Sequence, residues 1–199
     1  MTGVILAGGS NRRMGGRLKA LLPVDGEPLL VRQLAEMGSI CKQVLIITNA
    51  PEALAEPLST VSNVDVQCFS DRYVQTGPLG GLHAACLAAN EPLLWVVGCD
   101  MPYISAAAAK AMERQCVEAG CDAVVPVIDG RVHPLHGIYS RNIGESAETL
   151  LVQERYRLMG LLEQIAWTAA DQDFFRERGI PTHFVMNVNT PEDYQKISH

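Results

Sequence analysis

The chemically richest segment of the chain lies near its start: Leu6-Ala7-Gly8-Gly9-Ser10-Asn11-Arg12-Arg13-Met14-Gly15-Gly16-Arg17-Leu18-Lys19. Glycines let backbone N–H groups approach an anion closely, and the four cations within Arg12–Lys19 can neutralise it. The segment has neither the Gly-Lys-Ser/Thr order of a Walker A loop nor the G-x-G-x-x-G spacing of a dinucleotide loop. A surface loop with solvated cations would share its composition. Its density of Gly and Arg/Lys, directly after the first strand pattern, favours a phosphate site. Asp100 is the second such residue. It follows the apolar run Leu93–Gly98, where a carboxylate is costly unless it is paired or coordinates an ion. Mg²⁺ prefers one or two carboxylates together with phosphate oxygens and waters, so Asp100 suits it. The competing reading is an Asp that caps the Met101-Pro102 turn.

These residues need a frame, and the apolar pattern supplies one. Thr2–Leu6, Gln43–Thr48, Val64–Phe69, Leu93–Gly98 and Ala123–Val127 read as strands, the second and fourth as near-continuous apolar runs covered on both faces. Between them, Pro28–Gly38, about Gly81 to Ala89, and Ala106–Ala119 read as helices, the last capped by Ser105 and stopped at Gly120. His133–Tyr139 and His183–Met186 are expected as further strands, Glu145–Gln164 as one or two helices. Thr190-Pro191-Glu192-Asp193 opens a final helix with a cap, a proline at the first helical position and acids in the first turn. Such alternation implies a three-layer α/β/α domain with a mainly parallel sheet. Ligands of such sheets bind beyond the carboxyl ends of the strands, which places the loops after Leu6, Thr48, Phe69 and Gly98 together.

Length and charge narrow the class. The chain has 199 residues and a net charge of −6, from 16 Lys+Arg against 22 Asp+Glu. One domain is expected, 1–199, with no linker or repeat. An acidic balance disfavours a nucleic-acid surface, and no apolar run approaches the ~18 residues of a membrane span. The six cysteines form no C-x-x-C pair and no zinc pattern. With no signal peptide visible, reduced thiols in a cytoplasmic protein are the expectation.

The segment LAGG, three residues, RMG, three residues and Lys resembles the signature of the molybdenum cofactor guanylyltransferases and their nucleotidyltransferase relatives. The resemblance continues through Thr48-Asn49, Asp71, Gly77-Pro78-Leu79-Gly80-Gly81, Gly98-Cys99-Asp100-Met101-Pro102-Tyr103 and Asn187-Val188-Asn189-Thr190-Pro191-Glu192-Asp193. These segments stand in family order along nearly the whole chain, and the last tilts toward the guanylyltransferase branch. Two positions depart: Asn11 stands where the family often has Ser, and Leu18 where it often has Asp.

The resemblance implies a Rossmann-like nucleotidyltransferase fold. It implies a reaction in which the phosphate of molybdopterin, free or molybdenum-loaded, attacks the α-phosphorus of GTP and releases pyrophosphate. Residues 1–105 would then bind nucleotide and Mg²⁺, and residues 106–199 the acceptor. Nucleotide-binding positions are Leu6, Ala7, Gly8, Gly9, Lys19, Asn49, Asp71, Gly77, Pro78, Leu79 and Asp100. Arg13 and Lys19 are expected on the triphosphate and Asp100 on the metal. Arg12 and Arg17 either share that work or face solvent. For the acceptor, Arg131, His133, Asn187 and Asn189 are the expected residues, although turn-forming Asn before a Thr190 cap explains the last two equally. His83 and His136 read as structural, and Cys99 as core. Transient contact with other cofactor-biosynthesis or target enzymes is also implied. A cytidylyltransferase for the same cofactor, a sugar-phosphate nucleotidyltransferase and a non-catalytic GTP-binding module remain alternatives.

Overall fold

Strands covered on both faces are largely apolar at successive positions, as in β1 (Thr2–Leu6), β4 (Gln43–Ile47) and β6 (Leu93–Gly98). The computed structural model describes residues 1–8, 18–73, 75–195 and 197. Along these strands, side chains alternate between two cores. Ile5, Val44, Ile46, Trp95 and Val97 face one layer, where α1 (Leu29–Gly38), α4 (Ala106–Ala119) and α7 (Gln172–Arg176) contribute Leu34, Met112 and Phe175. Val4, Leu45, Ile47, Leu94 and Val96 face the other. There α3 (Gly77–Ala88), α5 (Gly144–Val152) and α6 (Leu158–Leu162) contribute Leu82, Leu150 and Leu161. The three layers follow directly.

The sheet also contains β5 (Asp65–Phe69), β7 (Ala123–Ile128), β9 (Gly137–Ser140) and β10 (Trp167–Asp171), in the order β10-β7-β9-β6-β1-β4-β5. A short β8 (Arg131–Val132) pairs with the end of β7, and a hairpin of β2 (Pro23–Val24) and β3 (Glu27–Pro28) stands apart. Four pairings are parallel; β9 runs antiparallel to both β6 and β7, and β8 to β7. The chain thus has the expected mainly parallel α/β architecture.

Several boundaries differ from expectation, each for a local reason. Helix α3 starts at Gly77, not Gly81, because Pro78 is tolerated in a first turn. Of His133–Tyr139 only the end is a strand, since His136 adopts a left-handed φ of 65°. Residues His183–Met186 are not a strand but lie largely in a 3-10 turn, Thr182–Val185. One turn there suffices to bury Phe184 against Phe175 and His136. Residues 145–164 form two helices, α5 and α6.

His136 is fully buried between the rings of Trp95 and Phe184, and its Nε2 accepts from Ser105 N at 2.9 Å, at the start of α4. Burial pushes its imidazole down to about 3, from 6.5. The unfolded chain therefore binds one more proton between those values, so stability is complete above pH 6.5 and lost as pH falls toward 3. Urea unfolding is expected to show this as a loss of about 1.4 kcal/mol per pH unit below pH 6 from this one proton. The slope should flatten in His136→Asn, which retains a side-chain acceptor and tolerates the left-handed backbone.

Candidate active site

Pairing register brings the expected loops to one edge. Leu6 pairs with Ile47 on one side and Gly98 on the other, and Ile47 pairs with Phe69, so four strand ends stand in a row. The residues that follow each strand end meet above it. They border a cleft of about 500 Å³, lined by Gly8 and Lys19 from the first connection and Thr48 and Asn49 from the second. Asp71, Gln75, Gly77 and Pro78 line it from the third connection, and Cys99 and Asp100 from the fourth. Leu135 and Asn189 complete the rim from the second half of the chain.

The cleft has two polar ends. At one, Lys19 Nζ lies 3.0 Å from Asp100 Oδ2 and donates to Asn189 Oδ1 at 2.8 Å. Both charged side chains are largely buried, at 16% and 19% exposed, so their attraction is poorly screened. Asn189 is held by the local sequence: Val188 is buried and its N–H donates to Asp100 O at 2.8 Å. Asp193 accepts from the N–H groups of Asn189 and Thr190, while its own N–H donates to Thr190 Oγ1, a reciprocal cap for α8 (Pro191–Gln195). Thr190 is thus the cap the sequence suggests, and Asn189 still reaches the cleft.

At the other end, Asp71 Oδ1 accepts from Tyr73 N at 2.8 Å. Burial raises its carboxyl above the ordinary range, against the Tyr73 N–H, the His83 ring and Thr76, which favour the charged form. The carboxylate lies against Gly80. A Cβ there would sit 2.5 Å from Asp71 Oδ2 and 2.1 Å from Thr76 Oγ1, so α3 approaches this closely only because residue 80 has no side chain. His83 is buried beneath, edge-on to Tyr73 at 5.5 Å, in the structural place expected of it.

Cys99 lies beside Asp100, at the Lys19 end of the cleft. Burial, then the neighbouring Asp100 charge, pushes its thiol up to about 12, which favours the protonated form. All six cysteines are free.

Of the expected site residues, Leu6, Gly8, Lys19, Asn49, Asp71, Gly77, Pro78, Asp100 and Asn189 line this one cleft. Gly9 and Arg13 lie outside the described residues, as do Arg12 and Arg17. Ala7 spends its N–H on Ile47 O at 2.8 Å, and Leu79 is fully buried in the core beneath α3. Arg131 and Asn187 are exposed, His133 is half-buried, and none of the three lines the cleft. Gln75 and Leu135 line it without having been expected. Gln75 sits in a left-handed turn beside the Gly77-Pro78 signal, whereas Leu135 is one apolar residue with no pattern around it.

The hard-oxygen set at Asp100 and Asn189 suits a divalent ion that keeps phosphate or water ligands. No group of three His, Cys, Asp or Glu side chains fit to hold a metal is found among the described residues. No helix among them is long and apolar enough to cross a membrane.

A doubly covered sheet that gathers Lys19, Asp71 and Asp100 in one cleft at its carboxyl edge suits a protein that handles nucleotide phosphates, and comparison with known proteins gives the class, a nucleotidyltransferase. The family model described as the MobA-like NTP transferase domain matches residues 3–170, and the chain belongs to that family. The chain is 30% identical over 195 residues to a probable molybdenum cofactor guanylyltransferase of Pelotomaculum thermopropionicum, covering 98% of this chain and 90% of the relative. Molybdopterin-guanine dinucleotide biosynthesis protein A from Archaeoglobus fulgidus superposes with a TM-score of 0.82 at 23% identity, covering 100% and 97% of the two chains. A Mycobacterium tuberculosis protein crystallised in complex with manganese superposes at 0.59 with 19% identity, covering 99% and 96%.

Proposed function

We propose that this protein transfers GMP from GTP to molybdopterin or its molybdenum-loaded form, releasing pyrophosphate. A phosphate oxygen of the acceptor forms the new bond to the α-phosphorus, and the bond to the α,β-bridging oxygen breaks. Such transfer depends on positioning and on neutralising phosphoryl oxygens. The observation that carries the reading is the single cleft, with the Lys19–Asp100–Asn189 cluster at one end and Asp71 with the start of α3 at the other. Lys19 supplies a movable positive charge for the phosphates, and Arg13 is assigned to the same task. Asn49, Asp71, Gly77 and Pro78 cradle the nucleoside. Gly8 and Gly9 offer backbone N–H groups to the phosphates, and Leu6, Ala7 and Leu79 shape the floor from beneath. Asp100, with Asn189 beside it, holds Mg²⁺. When bound, that ion neutralises charge on the nucleotide phosphates. Arg131, His133 and Asn187 are assigned to the acceptor side, so residues 1–105 serve the nucleotide and metal and residues 106–199 chiefly the acceptor.

Incubation with molybdopterin, MgCl₂ and either GTP or CTP tests this. Pyrophosphate is expected with GTP; release with CTP alone replaces the guanine assignment by the cytidylyl one, and nucleotide binding without pyrophosphate makes the protein a binding module. The Asp71 assignment has its own test. In Gly80→Ala the new methyl must displace the Asp71 carboxylate or Thr76, so the KM for GTP is expected to rise about ten-fold, equivalent to ~1.4 kcal/mol, with kcat less affected.

A further inference from the structure

The turn that presents Asp100 is held from below by a residue outside the cleft. Gln33, in the middle of α1, is 1% exposed, and its Nε2 donates to Gly98 O at 2.8 Å and to Met101 O at 2.9 Å. Those carbonyls are the two ends of the turn, which Met101 N closes by donating to Gly98 O at 3.2 Å. One helical turn on, Glu36 Oε1 accepts from Ala106 N at 2.6 Å, so α1 ties down the whole segment from Gly98 to the start of α4. From the cleft side, Cys99 N donates to Leu6 O, and Asp100 O accepts from Val188 N. The turn is also tight against its own acid. A Cβ on Gly98 would lie 2.6 Å from Asp100 Oδ1, so that oxygen rests over a backbone position whose location Gln33 sets.

Packing alone does not account for an amide here. Gln33 Oε1 is buried with no hydrogen-bond partner among the described residues, an orphaned acceptor that an apolar side chain of the same length would avoid. Both donors are directed at the turn at that cost. We propose that Gln33 is a positioning residue: by gripping Gly98 O and Met101 O it fixes the direction in which the Asp100 carboxylate meets a divalent metal. This rests on the reading of Asp100 as the metal carboxylate.

The test measures GTP affinity by calorimetric titration with and without MnCl₂ in wild type, Gln33→Met, Gln33→Asn and Asp100→Asn. The ratio of the two affinities is the metal's contribution. Gln33→Met keeps the side chain's length and removes both donors, and it is expected to lose about ten-fold of that ratio while metal-free GTP affinity stays within about two-fold of wild type. Gln33→Asn, one methylene short, reaches one carbonyl at most and should fall between; it carries the test if the Met variant does not fold. A wild-type ratio in the Gln33 variants alongside a collapsed ratio in Asp100→Asn overturns the inference and leaves Asp100 in place. Equal loss of affinity with and without metal also overturns it, because the role would then be support of the fold. An unchanged ratio in Asp100→Asn removes the metal reading itself, and the inference falls with it.

Discussion

Asp100→Ala is expected to lower guanylyl transfer by about 10²–10³-fold while leaving the fold intact, the range seen when one preorganised charge-stabilising group is removed from a site. The fold should survive because the side chain contributes nothing to either core. It projects from the turn after β6 into the cleft, and the backbone bonds that hold the turn, Val188 N to Asp100 O and Cys99 N to Leu6 O, do not depend on the carboxylate. The loss should be large because one side chain is given two purposes, as the proposed metal carboxylate and as partner of Lys19 at 3.0 Å. Without it Lys19 keeps its bond to Asn189, so the ammonium is displaced rather than released. Pyrophosphate release at saturating GTP and MgCl₂, beside a thermal melt, checks both halves. A melt like that of wild type with turnover within about two-fold of it takes Asp100 out of the mechanism. Asp100→Asn, which keeps the shape and loses the charge, should behave like Ala in turnover.

What could be read in the sequence divides along a physical line. Strands covered on both faces announce themselves as apolar runs, and β4 and β6 were legible to within a residue for that reason. Helices with a capping side chain and a terminal glycine were equally plain: Ser105 Oγ accepts from Ala108 N, and Gly120 takes the left-handed conformation. Strand β10 was not legible, because Trp167–Asp171 lacks a β-branched run and is a strand only through its pairing with β7. The same division runs through the site. Lys19, Asp71 and Asp100 stand directly after strand or glycine signals, so their convergence followed from topology. Leu135 and Gln33 reach the site from elements whose local pattern says nothing of it. Gln33 reads as one polar residue in an amphipathic helix, which ordinarily faces solvent, and only tertiary structure shows it inside the core.

Lys19→Met is expected to cut turnover by about 10²-fold, with a smaller rise in the KM for GTP, because a positive charge on the leaving pyrophosphate counts for more in the transition state than in the ground state. Methionine retains most of the aliphatic stem, so what is lost is the ammonium, with its bonds to Asp100 and to Asn189 among its contacts. Those bonds join the end of the glycine-rich loop to the turn after β6 and to the segment before α8, three pieces distant in sequence. Some of the loss will therefore be slack in Asn189, and Lys19→Arg separates this from charge. Arginine keeps the charge, but its planar fork does not reproduce a point donor between two oxygens, so it should recover part of the activity and not all. The double variant Lys19→Met/Asp100→Asn gives the sharper reading. If the two side chains act as one unit, its turnover should lie near that of Asp100→Asn alone, not at the product of the two losses. Multiplicative losses would mean that Lys19 and Asp100 act on the phosphates independently, despite their 3.0 Å pair.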